Sequence, residues 1–143
     1  MTPQRVTLIT LGVSDLAAAR DFYARLGWQE HPNSQPTVAF YQIHGSVFGL
    51  FQRDALAEDQ GRPGAKLGTG AMTLAQNYST EAEVDKAWQS AVDQGAKPLK
   101  KPEKVFWGGY SGYWADPDGH VWEVAMNPYW PLAEDGALVL PDP

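Results

Sequence analysis

The chain has 143 residues, no cysteine, a formal net charge of −6 and a pI near 4.9. Missing thiols exclude disulfides, thiolate metal sites and cysteine nucleophiles, and the acidic balance argues against nucleic acid, because Lys97, Lys100, Lys101 and Lys104 are the only basic cluster. No apolar run approaches the roughly 18 residues of a membrane span and no leader-like N-terminus is present, so a single-domain cytoplasmic protein over residues 1–143, without a membrane partner, is expected.

Residues 5–13 alternate apolar and polar side chains and predict a strand. Ser14 or Asp15 then caps a helix whose apolar face is Leu16, Ala19, Phe22 or Tyr23, and Leu26, with Gly27 at the C-terminal cap. Trp28 to His31 reads as a short strand and residues 32–36 as a turn. Residues 37–43 and 47–52 make a hairpin about His44-Gly45-Ser46. From Arg53 to Gly70 the chain is polar and glycine-rich without periodicity, which marks a connecting segment.

The pattern then restarts. Residues 70–78 predict a strand, Thr80 to Glu83 a capping box, and Val84, Ala87, Trp88, Ala91 and Val92 the apolar stripe of a helix closed by Gly95. Residues 97–101, 105–115 and 121–126 predict three further strands. Neither βαβββ unit can cover its own sheet, so the repeat predicts an α+β fold of two paired βαβββ modules with curved mixed sheets around a cleft. Module one is 5–53, the connecting segment 54–69 and module two 70–127; an extended, partly apolar tail, 128–143, can cover the cleft edge or reach a second subunit.

Asp116-Pro-Asp-Gly119 is a tight-turn signal whose glycine needs a positive φ, and it runs straight into an alternating strand. Trp122, Val124 and Met126 form that strand's core face, so Glu123 points away from the helices, to solvent or into a concavity. An isolated carboxylate on an apolar wall can carry a proton or anchor a cation; equally, it can hydrogen-bond a neighbouring tyrosine or serine. From Phe106 to Trp114 three glycines sit beside five aromatics and can line a binding slot, although Tyr110 and Tyr113 fall on opposite faces of a regular strand. His31, His44 and His120 show no metal-ligand spacing and read as structural or exposed.

Val13-Ser-Asp-Leu16, Asp21-Phe-Tyr23, Leu26-Gly27 and the closing Asp116-Pro-Asp-Gly-His-Val-Trp-Glu123 together resemble the vicinal oxygen chelate superfamily of glyoxalase I, the bleomycin resistance proteins and the extradiol dioxygenases. The resemblance implies paired βαβββ modules, often assembled as a homodimer, and, in members that use a metal, ligands on four strands. Those positions fall here on Leu8, Gly49, Ala71 and Glu123. Only Glu123 has a donor atom, and a catalytic metal needs three or more protein ligands, so no metal and no other cofactor is expected.

Alternation extends the implied cleft wall to Thr10, Phe51, Thr73, Ala75, Val121 and Ala125. Three functions follow. The first is a metal-free binder of a planar or cationic small molecule, like the bleomycin resistance proteins, using Glu123, Phe51, Thr73, Trp107, Tyr110 and Tyr113. The second is a diverged lyase, isomerase or dioxygenase with Glu123 as catalytic base or metal ligand. The third is an interaction module whose cleft is plugged by its own tail.

Overall fold

In the computed structural model, which describes Met1–Pro143, the chain divides into two compact units, Met1–Gly68 and Thr69–Pro143. The first contains β1 (Leu8–Val13), α1 (Leu16–Arg25), β2 (Val38–Ile43), β3 (Ser46–Gln52) and α2 (Arg53–Asp59). Asp15 starts α1 by accepting the Ala18 N–H at 3.0 Å, which satisfies one of the donors a helix leaves open at its first turn. β3 is central, parallel to β1 and antiparallel to β2.

Register makes one sheet face of Leu11, Val13, Ala39, Tyr41, Phe48 and Leu50, all buried. α1 lays Leu16, Ala19, Phe22 and Tyr23 on it. Tyr23 lies 5.5 Å from Phe48 and 5.1 Å from Phe22, both edge-on, and Trp28 joins Phe48 at 5.2 Å. Each fully buried side chain of this size contributes about 1.5–3 kcal/mol, so this cluster dominates the unit's stability.

Two predicted features differ here. Trp28 to His31 forms no strand: the Trp28 ring packs on Phe48, and backbone bonds from Trp28 N–H to the Tyr23 carbonyl and from His31 N–H to the Phe40 carbonyl tie the segment down. The stretch expected to be an unstructured connection begins with the two-turn helix α2, which buries Ala57 and packs on β1 and β3. Seven residues are too few for a periodic signal, and packing holds this helix in place of propensity.

The second unit runs β4 (Thr73–Asn77), α3 (Glu81–Asp93), β5 (Lys97–Lys104), β6 (Tyr110–Ala115) and β7 (Val121–Met126). Its sheet order is β4-β7-β6-β5, parallel between β4 and β7 and antiparallel elsewhere. Both sheets are thus mixed, and the fold is α+β. Thr80 caps α3 by accepting the Glu83 N–H at 3.1 Å, while its own hydroxyl donates to the Glu83 carboxylate at 2.9 Å.

α3 covers β5, β6 and β7 with Val84, Trp88 and Ala91. Beneath it Trp114 and Trp122, a cross-strand pair, stack at 5.5 Å and 10°, and the Trp88 indole N–H donates to the Tyr113 carbonyl at 2.9 Å. The lysine-rich β5 is an edge strand carrying Pro98 and Pro102, residues that blunt pairing with foreign strands.

Between β6 and β7, the buried Asp116 carboxylate accepts from Asp118 N–H at 3.0 Å and His120 N–H at 2.9 Å. Gly119 takes φ +96° in this turn, a value that costs other L-residues strain. No helix is long and apolar enough to cross a membrane.

Candidate ligand pocket

β7 decides where Glu123 goes. Trp122 and Val124 are buried under α3, so alternation turns Glu123 to the opposite face, together with Val121 and Ala125. Ala75 of β4 and Tyr113 of β6 are its direct neighbours across the sheet. The Tyr113 phenol lies close enough to the Glu123 carboxylate to feel its charge and a weak hydrogen bond to it. Burial raises the Tyr113 phenol above its ordinary value of 10.0, and the Glu123 charge and this hydrogen bond add to the effect. The proton stays on the phenol, which is a donor beside the Glu123 carboxylate oxygens.

They face a pocket of about 500 Å³. Its floor is Ala75, Asn77, Glu123 and Ala125, from adjacent strands β4 and β7. Trp107 contributes from the β5–β6 connection, while Asn127, Tyr129, Trp130 and Leu138 come from the tail.

The sequence pattern around Trp107 predicts a continuous strand from Val105. In the structure residues 105–109 are instead the hairpin turn, closed by Val105 N–H to the Gly109 carbonyl at 2.9 Å. This turn is built for aromatic cover. A Cβ on Gly109 would lie 2.0 Å from the Trp107 ring, and one on Gly108 would lie 3.2 Å from the Tyr129 hydroxyl. Two bare backbone positions therefore let two aromatic side chains lie directly on the turn.

Of the residues expected at a site, Glu123 and Trp107 line this pocket, and Tyr113 shares its face through the bond to Glu123. Thr73 lies one pleat along β4 from Ala75, opposite Val121. Tyr110 does not belong here. It pairs with Met126, on the α3 side of the sheet, and donates to Asp85 of α3 at 2.6 Å, a bond that pushes its phenol up to about 12. Phe51 is in the first unit, on the sheet face opposite α1, between Gly12 and Val38. Asn77 continues the Thr73, Ala75 alternation and was readable from it. The tail residues had only a Pro-Tyr-Trp-Pro composition to announce them.

Two units, each a mixed sheet with helices packed against it, define an α+β fold built from repeated strand–helix–strand modules. Residues 5–124 match the model of the Glyoxalase/Bleomycin resistance protein/Dioxygenase superfamily, and the chain belongs to that family.

A glyoxalase-related enzyme from Fulvimarina pelagi is 38% identical, covering 98% of this chain and 100% of its own, with a TM-score of 0.89. A lactoylglutathione lyase from Agrobacterium tumefaciens shares the fold at 23% identity and a TM-score of 0.67, over 90% of this chain and 98% of its own. An uncharacterized protein of Mycobacterium bovis is 30% identical over 125 residues, 81% of this chain and 79% of its own.

A divalent metal of the kind some members bind does not fit the residues present. No three His, Cys, Asp or Glu side chains come together to hold an ion. The β4 neighbour of Glu123 is Ala75, four residues beyond Ala71, the position carried over from the family pattern, and alanine supplies no donor at either place. His31 is engaged elsewhere, its Nδ1 accepting the Asn33 N–H at 3.1 Å, and His120 closes the Asp116 turn through its backbone.

Proposed function

We propose that this protein binds a planar, cationic small molecule in the pocket over Glu123, without help from a metal or other cofactor. One arrangement carries the reading: a single carboxylate, with Tyr113 beside it, in a pocket of about 500 Å³ that two tryptophans and a tyrosine also line. A carboxylate attracts a cation more strongly when apolar walls exclude water, and aromatic faces add cation–π and stacking energy. In this reading the protein acts as a cytoplasmic homodimer, so its sedimenting mass should be twice the 15.7 kDa of one chain.

The test is titration with proflavine, a flat organic cation, followed by fluorescence anisotropy. Saturable one-to-one binding is expected, weakened about ten- to a hundredfold in Glu123→Gln, since a charge-assisted contact is worth about 1.5–3 kcal/mol. Absence of saturable binding, or equal affinity in the variant, would sink the proposal.

A second reading has Glu123 as the general base of a diverged lyase or isomerase, and two observations favour it. The Tyr113–Glu123 pair places a proton donor beside a proton acceptor, and the 38% identical relative is described as an enzyme. Turnover that vanishes in Glu123→Gln would select this reading over simple binding.

A further inference from the structure

We infer that the tail from Asn127 to Leu138 is the specificity-determining element of the pocket, selecting flat rings by stacking them on Trp130, Tyr129 and the facing Trp107. The inference rests on the binding role proposed above and adds a division of labour to it. Glu123 supplies charge, and the tail supplies shape.

Three observations carry it. The family match ends at residue 124, so Tyr129, Trp130 and Leu138 reach the pocket from beyond the matched region. Residues 127–133 bear no charge, which leaves shape and apolar surface as what they can offer.

Next, the rings are unspent. Trp28, Tyr23, Tyr41 and Phe48 pack on one another, and Trp114 stacks on Trp122, whereas Trp107, Tyr129 and Trp130 make no ring–ring contact at all. They remain 42%, 65% and 40% exposed, an apolar area that a ligand could cover.

Finally, the tail is held in place. Tyr129 N–H bonds the Asn127 side chain at 2.9 Å, Trp130 N–H bonds the Asn127 carbonyl at 3.2 Å, and the Tyr129 ring rests on Gly108. A turn closed by Ala133 N–H to the Ala137 carbonyl at 2.9 Å, with Leu132 bridged to Leu138, folds the tail back so that Leu138 reaches the pocket. An element ordered before binding loses less entropy when a ligand arrives.

The experiment compares proflavine with hexylammonium, a flexible cation of equal charge, by isothermal titration calorimetry on the full-length protein. Wild type should prefer proflavine. Trp130→Ala should cut that preference at least about fivefold, by weakening proflavine much more than hexylammonium, and Trp130→Phe should keep most of it, as expected for a desolvated aromatic contact.

Tyr129→Ala gives an independent reading from the same segment, and Glu123→Gln should weaken both cations while sparing their ratio. An unchanged ratio in both Trp130→Ala and Tyr129→Ala, with the Glu123→Gln effect intact, would overturn the tail's role and leave the binding function standing. A wild type that binds neither cation would remove both.

Discussion

Tyrosines record most clearly how this fold treats a titratable group. Tyr41, at 2% exposure inside the first unit's aromatic cluster, has its phenol pushed up to about 12 from 10.0, first by burial and then by the nearby Glu30 charge. The folded chain therefore keeps that proton where the unfolded chain would release it. The associated stability is complete below about pH 10 and is lost as pH rises from 10 through 12. Melting temperatures measured from pH 9 to 12 should fall less steeply in Tyr41→Phe than in wild type, and equal slopes would exclude Tyr41 as a source of alkaline sensitivity. Tyr113 follows the same rule, because burial first and then the Glu123 charge push its phenol up and keep a proton donor beside that carboxylate.

Among the elements, local chemistry and tertiary packing divide what could be read in advance. The caps were legible because a side chain three residues from its target amide is a short-range matter: Asp15 bonds Ala18 N–H and Thr80 bonds Glu83 N–H. Thr80→Ala should cost about 1 kcal/mol in chemical denaturation, and a loss below a few tenths would show that α3 is held by its Val84, Trp88 and Ala91 face alone. The strand face carrying Glu123 was legible too, since a period of two fixes direction once Trp122 and Val124 are assigned to the core. Helix α2 was hidden by its brevity. The turn at 105–109 was hidden by its aromatics, which have strand propensity, although here Trp107 serves as pocket wall and Phe106 is exposed. The tail was expected at the cleft edge or on a second subunit, but which of its residues reach the pocket was not legible, because the return that brings Tyr129, Trp130 and Leu138 there is encoded by no local pattern.

At the scale of the molecule, each unit rests on its own layer of large side chains. Phe48, 1% exposed and in contact with Tyr23, Trp28 and Tyr41, is the middle of the first. Phe48→Ala should destabilise the protein by about 3–5 kcal/mol in urea unfolding, the usual cost of emptying such a site, and a loss below about 1 kcal/mol would mean the cluster is not the core it looks like. The repeat of strand, helix and strands was visible along the chain, yet the parallel pairings β1 with β3 and β4 with β7 were not, because they join segments far apart in sequence. That separation has a consequence for synthesis. Asn77, the last residue of β4, and Val121, the first of β7, are 44 positions apart (121 − 77). At about 5–20 residues per second a ribosome takes roughly 2–9 s to make that stretch. Throughout that interval β4 has no partner in its own sheet, and its unpaired backbone and Leu74 are open to other nascent chains, so the yield of folded protein should be most sensitive to temperature and crowding during those seconds.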